Sequence, residues 1–242
     1  MKHYKKIAYT ALTVVAVACQ LNSAFAQSRM PEGNINVPMT TNDITFKVWR
    51  ESAYSQLAGT PYLSNEWGKG ILKFGNNSII NGVELKYDQI GDALLFKNSA
   101  GETMELSDPI LEFKIEVPKK TGAELHLFRA GFKPVGKNDE LTRYEVLSDG
   151  NVKFLKRTVK TVVEEKEYNS STTLKKIVDN HYYYVVKPDQ APVQVSKSDI
   201  VDAIGDKKSE LTAYIKSQKL NLKKESDILK VFEYYFTISK AS

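Results

Sequence analysis

Residues 81–117 read NGVELKYDQIGDALLFKNSAGETMELSDPILEFKIEV, and the pattern of this stretch determines the fold class. Apolar side chains recur at every second position, first at Val83, Leu85 and Tyr87 and most regularly over 111–117, which predicts half-buried β-strands. Turn signals separate the runs at Gly91-Asp92, Ala100-Gly101 and Asp108-Pro109. Loops of two to six residues cannot make the crossover that parallel strands require, so the stretch predicts an antiparallel meander.

Two dipeptides predict the tight turns of hairpins. Asn81-Gly82 and Asp149-Gly150 are preferred centres of two-residue turns, because these residues tolerate positive φ. We therefore expect one hairpin turn at Asn81-Gly82, after a short strand at 71–74, and another between strands at 144–147 and 152–163.

The period changes from two to 3.6 near the C-terminus. The last apolar stripe, Ile228, Phe232, Tyr235 and Phe236, has the i, i+4, i+7, i+8 spacing of an amphipathic helix. Strands first and helices last is the order of an α+β protein. The predicted fold is therefore α+β, an antiparallel β-meander body followed by a C-terminal helical segment of two to three helices.

The predicted organisation has four parts. A signal peptide covers 1–26, a flexible lead-in with two prolines covers 27–42, the β-rich body covers 43–195, and the helical segment covers 196–242 and packs on the body. Within the last part we expect a helix at 199–204 that ends at Gly205, one that begins after Asp206, and one that begins at Asn221 or Ser226.

The N-terminus has the three features of an export signal. Lys2, Lys5 and Lys6 precede an apolar run of about 12 residues, which is shorter than the ~20 needed to cross a bilayer. Ala24-Phe25-Ala26 fits the small-x-small cleavage rule, and cleavage there would remove Cys19, the single cysteine. The alternative is lipoprotein processing, which would cut before Cys19 and acylate it.

The composition after cleavage disfavours two classes of protein, nucleic-acid-binding and transmembrane. The net charge of +5 falls to +2, because the leader contains three lysines and no acids. A nearly balanced charge disfavours a nucleic-acid-binding protein, which needs a clustered basic face. No second apolar stretch is long enough for a transmembrane segment, so we expect an exported protein in the periplasm or outside the cell.

The sequence offers little for catalysis, and we assign no catalytic residue, metal ligand or cofactor. His126 and His181 have no spaced carboxylate or cysteine partners of the kind that a metal site needs. Neither a Gly-x-Ser-x-Gly elbow nor a glycine-rich phosphate loop occurs. A hydrolase would instead need His126 or His181 within hydrogen-bond reach of a carboxylate or hydroxyl at the floor of a pocket.

Aromatic side chains are the candidate binding residues. Trp49, Tyr54, Tyr62 and Trp67 lie close in sequence and could stack on a sugar or a peptide, and Tyr183 stands in a run of three tyrosines. Aromatic residues in strands also serve as core or cross-strand pairs, which is the competing interpretation.

The segments GTPYLSNEWGKGILKFGN and NGVELKYDQIGDALLF resemble uncharacterised exported proteins of Bacteroidota, in which a Gly-small-Pro-aromatic-Leu turn leads into strands that end in Leu-x-Tyr-Asp. The helical ending is also similar. The resemblance implies an exported fold and no chemistry. It is carried by Gly59, Pro61, Tyr62, Leu63, Trp67, Gly70, Gly82, Leu85, Tyr87 and Asp88.

These observations lead to two functional hypotheses. The first is a non-enzymatic envelope protein that binds, assembles or supports a structure, with an envelope protein or glycan as its partner. The second is a hydrolase that acts on envelope polymers.

Overall fold

A computed structural model describes residues 45–49, 54–166 and 173–240. It contains one sheet of 11 antiparallel strands followed by three helices, which confirms the α+β prediction. The predicted leader, Cys19 and the lead-in lie outside the described residues. The strands are β1 (Phe46–Val48), β2 (Gly68–Phe74), β3 (Ile79–Asp88), β4 (Ala93–Lys97), β5 (Thr103–Leu106), β6 (Ile110–Lys119), β7 (Gly122–Arg129), β8 (Tyr144–Ser148), β9 (Lys153–Lys166), β10 (Thr173–Val186) and β11 (Val193–Val195).

The strands are arranged as two meanders that meet in the middle of the sheet. Their order is β1-β5-β4-β3-β2-β6-β7-β8-β9-β10-β11, so that β2 pairs with both β3 and β6. The helices are α1 (Ile200–Ile204), α2 (Lys208–Ser217) and α3 (Glu225–Ser239), and a 3-10 turn at Lys197–Asp199 precedes them.

The first seven strands curl around a core on one face of the sheet, here called the inner face. The rings of Tyr87 on β3 and Phe128 on β7 lie 4.9 Å apart. In a flat sheet β3 and β7, which have β2 and β6 between them, would stand about 14 Å apart. The sheet is therefore strongly curved over these strands. The buried members of this core are Leu72, Phe74, Val83, Leu85, Tyr87, Leu94, Phe96, Met104, Leu106, Ile110, Phe113, Ile115, Val117 and Phe128.

Residues 54–62, here called the strap, join the two halves of the sheet. Ala58 donates its N–H to the carbonyl of Lys175 and accepts from the N–H of Ile177 on β10. At the other end, Tyr62 forms a bridge with Asp88 at the end of β3. The N–H of Lys160 on β9 also donates to the carbonyl of Gln89, at 3.1 Å. The curled sheet is therefore closed by the strap and the β3–β4 turn.

The helices continue the inner-face core over β8–β10. Phe232 of α3 stacks on Phe154 of β9 with ring centroids 5.1 Å apart. Their buried partners are Val152, Tyr183, Val185, Ile200, Ile204, Leu211, Ile228, Val231 and Tyr235. On the opposite face, the loop after β7 covers Tyr144, Leu155, Tyr184 and Val186.

The structure corrects the predicted hairpin turn at Asn81-Gly82. The chain turns earlier, at 75–78, and Asn81-Gly82 lies inside β3. Val83 pairs with Gly70 and Asn81 with Ile71, so Gly82 is an extra residue with φ of +74°. Positive φ serves a β-bulge as well as a turn, so the dipeptide alone does not separate the two.

The C-terminal helices begin within a few residues of the predicted starts. The helix predicted after Asp206 begins at Lys208, and the last helix begins at Glu225, between the two predicted starts. Gly205, the predicted end of the first helix, follows α1 with φ of +93°.

Candidate functional site

Four of the five predicted binding aromatics lie together on the outer face of the sheet. Trp49 and Tyr54 have ring centroids 6.2 Å apart, and Tyr54 meets Tyr62 edge-on at 6.4 Å. Trp49 and Trp67 pack against buried Tyr62 and against Ala93 and Leu95 of β4. We call Trp49, Tyr54, Tyr62 and Trp67 the aromatic patch. It explains why both faces of β4 are buried, with Leu94 and Phe96 in the inner core.

The half-buried indole of Trp67 lies against two lysines from neighbouring strands. The Nζ atoms of Lys86 and Lys97 stand 5.1 Å and 5.0 Å from its ring centroid. Lys86 also stands 4.8 Å from the ring centroid of Tyr62. Cation–π contacts of this kind hold an indole in one orientation. Sequence reasoning missed both lysines, because their proximity depends on which residues face outward in β3 and β4.

Tyr54 is fixed at the edge of the patch by a buried carboxylate. Its hydroxyl donates to Asp88 Oδ2 at 2.7 Å, and Asp88 Oδ1 accepts from the N–H groups of Ile90 and Gly91. Burial, and then the hydrogen bond to Asp88, raise the pKa of Tyr54. Tyr54 is therefore a neutral donor that anchors the strap, and Asp88 acts as an acceptor in a turn.

Tyr183 does not belong to the patch. It stacks on Phe154 in the core beneath the helices, with ring centroids 5.6 Å apart. Its hydroxyl donates to Glu225 Oε2 at 3.0 Å, and Lys197 Nζ stands 4.5 Å from its ring centroid. Desolvation by burial, followed by the charge of Glu225, raises the pKa of Tyr183.

Tyr183 borders a row of charged side chains that crosses the inner face from β7 to α3. Glu145 Oε1 lies 2.6 Å from His126 Nδ1, and Glu145 Oε2 lies 3.5 Å from Lys156 Nζ. Lys156 Nζ also lies 3.3 Å from Glu225 Oε2. At the other end, Glu124 Oε2 lies 3.6 Å from His126 Nε2. We call Glu124, His126, Glu145, Lys156 and Glu225 the charged seam.

Register explains how the strands bring the seam together. Phe128 pairs with Glu145, Glu145 with Lys156, and Lys156 with Tyr183, so these side chains share the inner face. Glu145 is buried, and burial acts to raise its pKa. The hydrogen bond from His126 and the charge of Lys156 outweigh burial and lower the pKa of Glu145. The carboxylate is therefore ionised and paired at neutral pH.

His181, the second predicted histidine, lies next to a hydroxyl. Its Nδ1 stands 3.0 Å from Thr158 Oγ1, and the two residues are cross-strand partners. Partial burial, followed by the charge of Lys156, lowers the pKa of His181. A neutral imidazole beside a hydroxyl is one element of nucleophilic catalysis, which also needs a group that orients the base.

The charged seam links β7, β8, β9 and α3 through pairs of opposite charge, which suits a structural role. Both ring nitrogens of His126 face carboxylates of the seam, at 2.6 Å from Glu145 and 3.6 Å from Glu124. Among the described residues, no group of three or more His, Cys, Asp or Glu side chains has the arrangement of a metal site. None of the helices in the described ranges has the length and apolar character required to cross a membrane.

Comparisons with protein-family models, with curated proteins and with solved structures find no match to this chain. The resemblance to exported proteins of Bacteroidota therefore stays a prediction.

Proposed function

We propose that this protein is exported to the cell envelope and acts there by binding, without catalysis, with an envelope glycan or protein as its partner. The observation that carries the proposal is the aromatic patch. Four aromatic side chains, from the residue after β1, the strap and the residue before β2, converge on one outer surface. Trp67 is half-buried there and backed by a packed layer.

A rigid, partly exposed indole suits stacking against a ligand. Aromatic rings supply large contact area at a small entropic cost, because few rotatable bonds must be fixed. The lysines at Trp67 add N–H donors that can reach the hydroxyl or carboxylate groups of a sugar or peptide. Tyr62 is buried and the other three rings are half-buried, so a ligand would meet their exposed edges.

Tryptophan fluorescence tests the proposal directly, because the chain has two tryptophans and both belong to the patch. In a Trp49→Phe variant the emission reports Trp67 alone. We expect soluble fragments of envelope glycan, or peptides from envelope proteins, to shift that emission saturably. Trp67→Ala should abolish binding measured by calorimetry. Absence of binding to every fraction of the native envelope would contradict the proposal.

Export has a separate test. Mass spectrometry of the protein from its native cells should find a mature chain that begins at Gln27. An acylated Cys19 would replace cleavage after Ala26 with lipoprotein processing. An intact leader on a cytosolic protein would contradict export.

A hydrolase is the second candidate, and a specific observation favours it. This observation is the contact of His181 Nδ1 with Thr158 Oγ1 at 3.0 Å, whereas both ring nitrogens of His126 face carboxylates of the seam. Turnover of an envelope polymer that is lost in His181→Asn and Thr158→Val, with folding intact, would establish this function. Absence of turnover on polymers that the protein binds would exclude it for those polymers.

A further inference from the structure

The outer half of the β9–β10 hairpin, residues 157–166 and 173–182, is here called the arm. Its inner face is partly covered by the strap, where Lys160 Nζ donates to the carbonyl of Thr60 at 3.0 Å. Gly59 adds to this cover, since a Cβ built on it would lie 3.3 Å from Ile177 Cβ. The loop after β7 covers the opposite face as far as Tyr184 and Arg157, because Asn138 donates to the Tyr184 hydroxyl and accepts from the Arg157 guanidinium. Beyond these residues the opposite face of the arm is exposed or half-exposed within the described part of the chain, and it is here called the uncovered face.

The uncovered face carries apolar side chains in contact with water. Leu174 is 53% exposed, and Tyr182 and Val163 are each 40% exposed. Alternate residues of a strand share a face. The register therefore places five cross-strand pairs there: Arg157–Tyr182, Val159–Asn180, Thr161–Val178, Val163–Lys176 and Glu165–Leu174.

This face is complementary to itself under a two-fold rotation. A second arm can lie face to face on the first, with β9 on β9, β10 on β10 and the strand directions reversed. The two-fold axis then runs across the strands, through Thr161 and Val178. Glu165 then faces Arg157 of the other copy, and Val163 faces Val159. On β10, Leu174 faces Tyr182 and Lys176 faces Asn180. On β9, opposite charges meet at the ends of the row and valine side chains meet between them, whereas on β10 the apolar contacts lie at the ends.

We propose that the uncovered face of the arm is a homodimer interface, in which the arms of two copies pack face to face. Isologous contacts of this kind need one self-complementary surface, and the arm supplies it. The face of a two-stranded ribbon of this length measures about 27 Å by about 10 Å. That footprint is smaller than a standard protein–protein interface, so the dimer is weak and forms at micromolar or higher concentration.

A matched pair of substitutions tests the proposal. Val163 and Val162 are neighbours in β9 with 40% and 43% exposure, but Val163 lies on the uncovered face and Val162 on the inner face. Sedimentation velocity of the purified full chain, from roughly 10 µM to roughly 500 µM, should show a monomer–dimer equilibrium. Val163→Asp should raise the dimer Kd at least about tenfold, whereas Val162→Asp should leave it within about twofold.

A charge variant tests the two-fold arrangement itself. Glu165→Arg would place two guanidinium groups opposite one another at each end of the row, and should also raise the Kd about tenfold. Circular dichroism confirms that each variant is folded. A wild-type chain that stays monomeric over the whole range overturns the proposal. Equal loss of dimer in the Val162 and Val163 variants overturns it too, as does a Glu165→Arg variant that dimerises like wild type.

Discussion

Glycine is required at two positions for different physical reasons. Gly59 has φ of +105° at the centre of the strap, a conformation that side chains with a Cβ rarely adopt. Gly70 has ordinary extended backbone but lies on the inner face of β2, where Leu85 crosses it. Both glycines therefore permit close approach, the first of the strap to β10 and the second of Leu85 to β2.

Replacing Gly70 tests the tightness of the curl. In Gly70→Ala the new Cβ would overlap Leu85 Cδ1 and lie 2.9 Å from the carbonyl oxygen of Lys114. Because Leu85 is fully buried, the core must shift, and we expect a loss of about 2 to 3 kcal/mol in unfolding free energy. Urea denaturation measures it. Gly75→Ala is the control, since nothing lies within 4 Å of its Cβ position, and a similar loss there would contradict the argument.

Glu145 gives the seam a defined pH dependence. Its pKa is lowered in the folded state, so ionised Glu145 stabilises the fold above its unfolded pKa, and this contribution disappears as pH falls through the folded value. Glu145→Gln should therefore cost about 2 kcal/mol at pH 7, since it leaves Lys156 and His126 partly unpaired. The difference from wild type should shrink below about pH 4.5.

Urea denaturation from pH 3 to pH 7 checks this prediction. Glu164→Gln is the control, because Glu164 forms an exposed pair with Lys175 at 3.6 Å. Exposed pairs contribute little, so the control should change stability by less than about 0.5 kcal/mol. A loss in Glu145→Gln that is the same at pH 3 and pH 7 would rule out the ionic explanation.

Among the elements, the strap connects parts of the sheet that are far apart in strand order. It is held by backbone hydrogen bonds to β10, by the bridge from Tyr62 to Asp88, and by Lys160. Like Asp88, which holds Tyr54, Lys160 is a buried charged side chain; it is 4% exposed and also lies 3.4 Å from Asp179 Oδ1. The strap therefore depends on a lysine about one hundred residues further along the chain.

Lys160→Met should loosen the strap without disturbing the helices. The substitution keeps the aliphatic stem and removes the donor to Thr60, so we expect a loss of about 1 to 3 kcal/mol. Hydrogen exchange should show faster exchange at the N–H groups of Ala58 and Ile177, which join the strap to β10. Lys175→Met is the control, because its ammonium is exposed; unchanged exchange in Lys160→Met would show that backbone pairing alone holds the strap.

The sequence predicts individual strands and helices better than it predicts which side chains the pairing of strands brings together. The alternation in β6 and the stripe Ile228, Phe232 and Tyr235 are local patterns, and each corresponds to a real buried face. The turn at Asn81-Gly82 was wrong because the same φ preference serves a bulge. The seam was missed because Glu145 and Lys156 become partners only through the register of β8 and β9, which no local pattern specifies.

At the scale of the molecule, one sheet carries two inner-face cores, and the seam lies between them. Phe128 belongs to the core of the curled strands, and Phe154 and Tyr183 belong to the core under the helices. Glu145 and Lys156 lie between these rings on β8 and β9. Few side chains therefore couple the core under the helices to the core of the curled strands. The backbone ladder of hydrogen bonds that joins β7, β8 and β9 is nevertheless continuous.

Phe232→Ala tests how strongly the two cores are coupled. Phe232 is fully buried and stacks on Phe154, so its truncation should cost about 3 to 5 kcal/mol, all in the core under the helices. Helical circular dichroism follows that core, whereas tryptophan fluorescence follows the aromatic patch on the curled strands. In wild type we expect the two urea transitions to coincide, because the ladder joins the cores.

In Phe232→Ala the circular dichroism midpoint should fall below the fluorescence midpoint, because the weakened core can open while the curled strands remain closed by the strap. Leu72→Ala is the matched control, since Leu72 is fully buried in the other core. It should lower both midpoints together, because loss of the curled strands removes the sheet on which the helices pack. Coincident transitions in Phe232→Ala would mean that the seam and the ladder bind the two cores into one cooperative unit.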